Sequence, residues 1–384
     1  MINRVLLPIW YSVMTLFVIG MIAAPLSTVV VQVVERVQQR GKPVVAPITT
    51  QREEIIPMPA LPDDEPVLIQ STQLHTIASG TGHICVVTQS ALVRCWGDNR
   101  QGQLGSGSDG NALAMNPNPM NVSGLVDVSA IALGDTHSCA LQMRIGRVYC
   151  WGGNQFGQLG NTSNGPQTNQ SVPQQVVGLA RVVQIVSGAN HTCARQDDGG
   201  VRCWGDNRRA QIGDDTRQRA IDAYPINDLP SDVTAIAAGG NHNCALTAAG
   251  AVWCWGENTV GQVDGNAGNS IVTPVLIAGI PVANAIVLTA QQSCALDSNG
   301  SLWCWGNGAL PQQIQFPSAI VRIRGSNTSV LCAVLANDNL GCMTNQNTQI
   351  VQTPLFGALD VTTTDNSTCV LLRAAKIVCR GDNQ

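Results

Sequence analysis

The stretch IAAGGNHNCALTAAGAVWCWGEN, residues 236–258, decides the fold. Ile236 to Gly239 reads as a short strand whose small side chains suit a crowded ring near an axis. Asn243-Cys244-Ala245-Leu246 reads as a second strand, and Ala248-Ala249-Gly250 as a tight turn in which glycine supplies a positive φ. Ala251 to Trp255 shows the alternation of a third strand. Gly256-Glu257-Asn258 then turns the chain. Pro274-Val275-Leu276-Ile277 supplies an outer strand, where proline is tolerated because an edge lacks a partner. Cys244 and Cys254 fall on opposite arms of the central hairpin. Directly opposed Cβ atoms in such a pair lie about 4.5–5.5 Å apart, which local twist brings within reach of a disulfide.

The unit recurs. The 14 cysteines fall into seven couples: Cys85 with Cys95, Cys139 with Cys150, Cys193 with Cys203, Cys244 with Cys254, Cys294 with Cys304, Cys332 with Cys342, and Cys369 with Cys379. Self-similarity at such a period, with β-rich units, predicts an all-β chain folded as a seven-bladed β-propeller. Seven intrablade disulfides are expected from the hairpin geometry; the competing reading makes the cysteines small buried hydrophobes. No CxxC spacing and no Cys/His cluster points to a metal. Oxidised pairing on this scale implies an extracytoplasmic compartment.

Proline-led outer strands give an independent count of seven, at Pro66–Ile69, Pro119–Val122, Pro173–Val176, Pro225–Asn227, Pro274–Ile277, Pro311–Ile314 and Pro354–Phe356. The first precedes the first hairpin, and the last hairpin has no outer strand after it. Residues 66–69 are therefore expected to complete the seventh blade, so that the propeller spans 66–384 and leaves no open edge. Upstream, no charged residue occurs between Arg4 and Glu35, and a helix over this run would be roughly 45 Å long, enough to cross a bilayer core. Residues 1–40 are thus read as a signal anchor or transmembrane helix, or as a signal peptide cut near Ala23-Ala24. The flanking charges Arg36, Arg40 and Lys42 outnumber Arg4 and would alone place the rest of the chain inside; the cysteines argue for the outside. Residues 41–65, with six prolines counting Pro66 and five acids, read as an extended linker.

The pattern GxxHxCAL…GxVxCWGxNxxGQLG resembles the regulator-of-chromosome-condensation (RCC1) repeat. It is carried by Gly134, His137, Cys139-Ala140-Leu141, Cys150-Trp151-Gly152, Asn154 and Gly157-Gln158-Leu159-Gly160, and again by His83, Cys95-Trp96-Gly97-Asp98-Asn99 and Gly102-Gln103-Leu104-Gly105. Blades three and four keep His191, Trp204, His242 and Trp255; blade five keeps Trp305 but has Gln292 in place of histidine; blades six and seven lack the tryptophan. The resemblance implies a propeller scaffold, of a bacterial-type exported member of the family. It says little about function, since similar propellers include a nuclear exchange factor for a small GTPase, a plant ultraviolet-B photoreceptor and a secreted enzyme inhibitor.

The recurring histidines His83, His137, His191 and His242 would lie around a ring rather than converge on a metal, and are read as structural; His75 is isolated. Trp96, Trp151, Trp204, Trp255 and Trp305 are read as wedges between blades. Asp98, Asp206, Glu257 and Asp382 sit in turns, where a calcium site would require them to converge. No GxSxG, HExxH, phosphate loop or dinucleotide fingerprint occurs, so the reading is of a protein that is not an enzyme and needs no cofactor. With 12% charged residues and a net charge of -4 there is no basic field for nucleic acid. Blades one to four carry long polar connections at Ser106–Asn118, Asn161–Val172, Asp214–Tyr224 and Gly265–Thr273. Loops on a rigid scaffold are where binding resides. The expected function is an exported interaction scaffold for a protein partner, membrane-anchored through its N-terminal helix. The alternatives are a secreted inhibitor of an extracellular enzyme and, less in keeping with the cysteines, a GTPase exchange factor.

Overall fold

The structure is a computed structural model. It describes residues 74–107, 114–161, 168–344, 347–354, 357–364, 367–373 and 376–381. The expected N-terminal helix, the linker, the closing strand at 66–69 and the turn acid Asp382 lie outside the described residues.

The described chain forms six four-stranded antiparallel sheets and one three-stranded sheet, each running in chain order from an inner to an outer strand. Each inner strand packs on that of the next sheet, and the last, Ala358–Thr363, packs on the first, Leu74–Ser79. The ring is closed: this is a seven-bladed β-propeller. Ser79 seals the junction between last and first blades, its hydroxyl 2.6 Å from Thr362 Oγ1 and 2.5 Å from the Thr363 carbonyl. The seventh sheet is the three-stranded one, with no outer strand among the described residues.

All seven cysteine couples are disulfides, so the reading of these residues as unbridged buried hydrophobes is set aside. Cys85 is bonded to Cys95, Cys139 to Cys150, Cys193 to Cys203 and Cys244 to Cys254. Cys294 is bonded to Cys304, Cys332 to Cys342 and Cys369 to Cys379. Each bridge joins directly paired residues of the second and third strands of its own blade. The Cα atoms of Cys244 and Cys254 lie 4.1 Å apart, as close as a non-hydrogen-bonded antiparallel pair allows. A ten-residue separation restricts the unfolded chain by about 3 kcal/mol per bridge in the loop-entropy description.

The outer strands differ from the sequence reading. They run Met115–Asn121, Gln170–Gln175, Arg219–Pro225, Ile271–Leu276, Ala309–Ile314 and Asn347–Pro354, so proline lies within or at the end of the strand rather than at its start. An outer strand donates hydrogen bonds on one side only, so a proline nitrogen facing away breaks nothing. In blade six only two residues, 345–346, separate the third strand from the fourth. Its outer strand therefore precedes the position that Pro354 suggested. The long connections are correspondingly shorter than the loops read from the sequence, because each gives its last residues to a strand.

Topology sorts the turns onto two faces. The inner-to-second turns and the third-to-outer connections leave one face, called here the loop face. The tight second-to-third hairpins leave the other. In blades one to five both bridged cysteines are buried, while in blade six Cys342 is partly buried and in blade seven Cys379 is exposed; the apolar clusters cross from blade to blade.

Candidate interaction face and inter-blade latches

His83, His137, His191 and His242 each begin a second strand at the loop face, and all are fully enclosed. They do not converge. Each reaches into the next blade: His83 Nε2 lies 2.8 Å from Ser138 Oγ, His137 Nε2 2.8 Å from Thr192 Oγ1, His191 Nε2 2.8 Å from Asn243 Oδ1 and His242 Nε2 2.8 Å from Ser293 Oγ. The acceptors then reach back. Ser138 donates to the Gln103 carbonyl at 2.9 Å, Asn243 Nδ2 to the Gln211 carbonyl at 2.9 Å and Ser293 to the Gln262 carbonyl at 2.7 Å. Because each serine spends its one proton on a carbonyl, its oxygen must accept from the histidine. That places a proton on Nε2 of His83 and of His242. Burial lowers the pKa of His83 and of His191 to about 4. It lowers those of His137 and His242 to about 3, helped by repulsion from His191.

The tryptophans complete the latch from the other side. Trp151, Trp204, Trp255 and Trp305 are buried, each donating its indole N–H at 2.9 Å to a carbonyl of the preceding blade: Gln103, Gln158, Gln211 and Val263. Gln103 and Gln211 thus receive two donors, one from the tryptophan and one from the histidine's partner. Trp96 has blade seven before it and is only partly buried, against Cys369, Leu371 and Ile377. Close approach of blades also explains the inner glycines. A Cβ on Gly80 would sit 2.0 Å from the Gly134 carbonyl oxygen of blade two, and one on Gly134 2.8 Å from the Ala189 carbonyl oxygen of blade three.

Of the turn acids, Asp98 and Asp206 stay in their own blades, while Glu257 also meets Arg209 of blade three. Asp98 and Asp206 are buried and cap the turns after them through the amides of Arg100 and Arg208, whose guanidinium groups return to the same carboxylates at 2.7 and 2.8 Å. Burial alone would raise the Asp98 pKa, but the Arg100 hydrogen bonds and charge carry it below the usual carboxylate value. Glu257 receives Asn241 Nδ2 at 3.0 Å and Arg209 at 3.5 Å. Among the described residues no group of three or more His, Cys, Asp or Glu is arranged to hold a metal. What the acids do is fix arginines on the loop face. Arg208 lies 4.2 Å over the Phe156 ring centroid and Arg217 4.3 Å over Tyr224, with Arg217 also 2.6 Å from Asp214. The connections of blades one to four all leave this face, while those of blades five and six are two residues each.

The sequence reading found the histidines and tryptophans but missed their acceptors. Ser138, Thr192, Asn243 and Ser293 share one signal, a polar residue just before the first cysteine of the following blade, which the repeat pattern leaves as an unspecified x.

A family model described as the RCC1-like domain matches residues 48–340, most of the chain and the first five blades in full. The chain belongs to the RCC1-like domain family. Over 217 residues this RCC1-like propeller is 29% identical to the probable E3 ubiquitin-protein ligase HERC4 of Homo sapiens, a match covering 55% of this chain and 20% of that protein. Over 198 residues it is 28% identical to the ultraviolet-B receptor UVR8 of Arabidopsis thaliana, covering 51% and 44%. It thus spans less than half the length of either relative. Among solved structures, human WBSCR16 superposes with a TM-score of 0.71 at 20% identity, over 80% of this chain and 89% of the other. The structure of Prp20p from Saccharomyces cerevisiae, described with its binding properties to Gsp1p and histones, gives 0.63 at 19% identity, over 80% and 82%. The CRINKLY ectodomain of the Arabidopsis thaliana receptor kinase ACR4 gives 0.53 at 20% identity, over 81% and 95%.

Proposed function

We infer that this RCC1-like propeller is a non-catalytic interaction scaffold displayed outside the cytoplasm, holding a protein partner on the loop face of blades one to four. The observation that carries the reading is the asymmetry of that face. Four blades raise long connections there, with arginines pinned by buried carboxylates and aromatic rings, while the next two blades raise almost none. Rigid framing lowers the ordering cost of a partner's arrival. Seven disulfides with no free cysteine support an oxidising compartment. The apolar run before Glu35, joined to the proline-rich linker 41–65, supports display from a membrane. A propeller of the same fold forms the ectodomain of a receptor kinase, and another binds Gsp1p and histones, so both the setting and the mode have parallels.

The test replaces residues 162–167 and 214–218 of the full-length protein with glycine-serine segments. Capture of the native partner from intact cell envelopes should be lost while near-ultraviolet circular dichroism and all seven disulfides persist. Capture at wild-type level would overturn the assignment of this face. The secreted-inhibitor reading is separated by mass spectrometry of the mature N-terminus: a start near residue 24 favours release over anchoring. Cysteines found reduced in intact cells would instead revive exchange on a GTPase.

A further inference from the structure

The axis of the ring holds an open cavity of about 360 Å³ lined by the inner strands. That is enough for a small metabolite-sized ligand. The strand register shows how its wall is composed. Opposite the first cysteine of each blade the inner strand places Ala78, Ala132, Val186, Ala237 and Val287 in blades one to five, but Arg324 in blade six and Thr362 in blade seven. Two residues earlier along the inner strands a second layer holds Arg322 in blade six, Asp360 in blade seven and Thr76 in blade one. Every other blade has an uncharged residue there. The charge of these two layers is therefore gathered in one sector, in blades six and seven.

Within that sector the charges do not balance. Asp360 is buried, with its side chain 2% exposed. Arg324 grips it at two points, Nε 3.0 Å from Oδ1 and Nη2 donating to Oδ2 at 3.1 Å, while Arg322 Nη1 lies 3.5 Å from Oδ2. Both arginine side chains remain more than 40% exposed. One carboxylate faces two cations, and among the described residues lining the cavity no acid occurs and Arg324 is the one charged residue. On the neighbouring side of the sector Thr76 also lines the cavity, and its Oγ1 is buried with no hydrogen-bond partner. A sector with one positive charge in excess and an unmet hydroxyl beside the cavity both favour an acceptor with negative charge. Asp360 holds Arg324 in place, so little side-chain freedom is lost on binding.

We propose that the axial cavity is a binding site for a small oxyanion, a carboxylate or phosphate, seated on Arg324 with Thr76 Oγ1 as a second donor. One end of the axis is the loop face. There the inner turns are knitted together, Ala189 N–H donating to Gly240 at 2.7 Å, Ala290 N–H to Thr328 at 2.8 Å, and Asn327 Nδ2 reaching across the ring to Leu133 at 3.4 Å.

Inorganic phosphate and citrate, titrated separately into the full-length protein at constant ionic strength, test it by calorimetry. At least one should bind saturably at one site per chain, and the stronger of the two names the source. Arg324→Gln should weaken that binding by about 10- to 100-fold, the worth of a charge-assisted contact. Thr76→Val, which leaves the Asp360 pair untouched, should weaken it by about three- to tenfold, as for one neutral hydrogen bond. Arg144→Gln, on an exposed hairpin tip, should change nothing. Absence of saturable binding by both anions, or equal affinity in wild type, Arg324→Gln and Thr76→Val, would overturn the proposal. Should Arg324→Gln fail to fold, Thr76→Val alone decides.

Discussion

Lowering the pH from 7.5 to 5 should destabilise the propeller steeply, through the four latch histidines. In the unfolded chain a histidine titrates near 6.5 and at pH 5 is almost fully protonated. In the folded ring the same groups hold out to about 4 for His83 and His191 and about 3 for His137 and His242. The unfolded state therefore takes up protons first. The contribution of the neutral latch is complete above about pH 7.5 and is lost as the pH falls through 6.5 toward 4. At pH 5, about 1.5 units below the unfolded value and at ~1.4 kcal/mol per unit, each histidine costs about 2 kcal/mol. Four of them cost about 8 kcal/mol, a sum comparable to the whole stability of many domains. The assay is urea denaturation of the oxidised protein at a series of pH values, in wild type and in His242→Gln. Blade five already carries Gln292 at the histidine's place, buried and paired with Gly306 as His242 is with Gly256. Glutamine therefore fits the slot. His242→Gln should lose about 2 kcal/mol less than wild type between pH 7.5 and 5; the difference cancels carboxylate titration common to both. Equal losses in the two proteins, or a wild type indifferent to this pH range, would refute the buried-neutral latch.

Other outcomes rest on the same geometry. Replacing Cys244 and Cys254 together by alanine should lower stability by about 3 kcal/mol from loop entropy, read as a shift in urea midpoint, with the remaining six bridges intact. Gly134→Ala places a methyl against the His137 ring and the Ala189 carbonyl, so it should cost about 2–4 kcal/mol, whereas Gly178→Ala, with nothing within 4 Å, should cost only its positive-φ strain of about 1 kcal/mol. A strand at Pro66–Ile69 completing blade seven should protect the amides of Val67 and Ile69 from hydrogen exchange as strongly as those of the other outer strands. Exchange at the rate of an unstructured chain would remove residues 66–69 from the ring.

The hairpin, the cysteine couples and the blade count were legible because each is a local or periodic property. Ala248-Ala249-Gly250 can be little other than a turn, and Cys244 and Cys254 on either side of it must meet. The tryptophan positions were legible for the same reason, since a large apolar side chain fixed in a repeat has only the inter-blade gap to fill. Outer strands were displaced because proline marks an edge without saying where along it the strand begins, as Pro354 shows at the end of Asn347–Pro354. The latches were half legible. His83 stands out, but its partner Ser138 lies 55 residues away and only the ring brings it within 2.8 Å. Arg322, Arg324 and Asp360 gave no signal at all, because in the sequence they sit in the two blades that depart furthest from the repeat and only the register around the axis gathers them.

Non-reducing peptide mapping of the full-length protein, alkylated on recovery from its native host before any reduction, tests the stapled ring most directly. Seven linked peptides should emerge, each joining the two cysteines of one blade, and no cysteine should carry the alkyl tag. A bridge between blades, or tagged cysteines in place of these couples, would contradict both the architecture of the propeller and the compartment inferred for it.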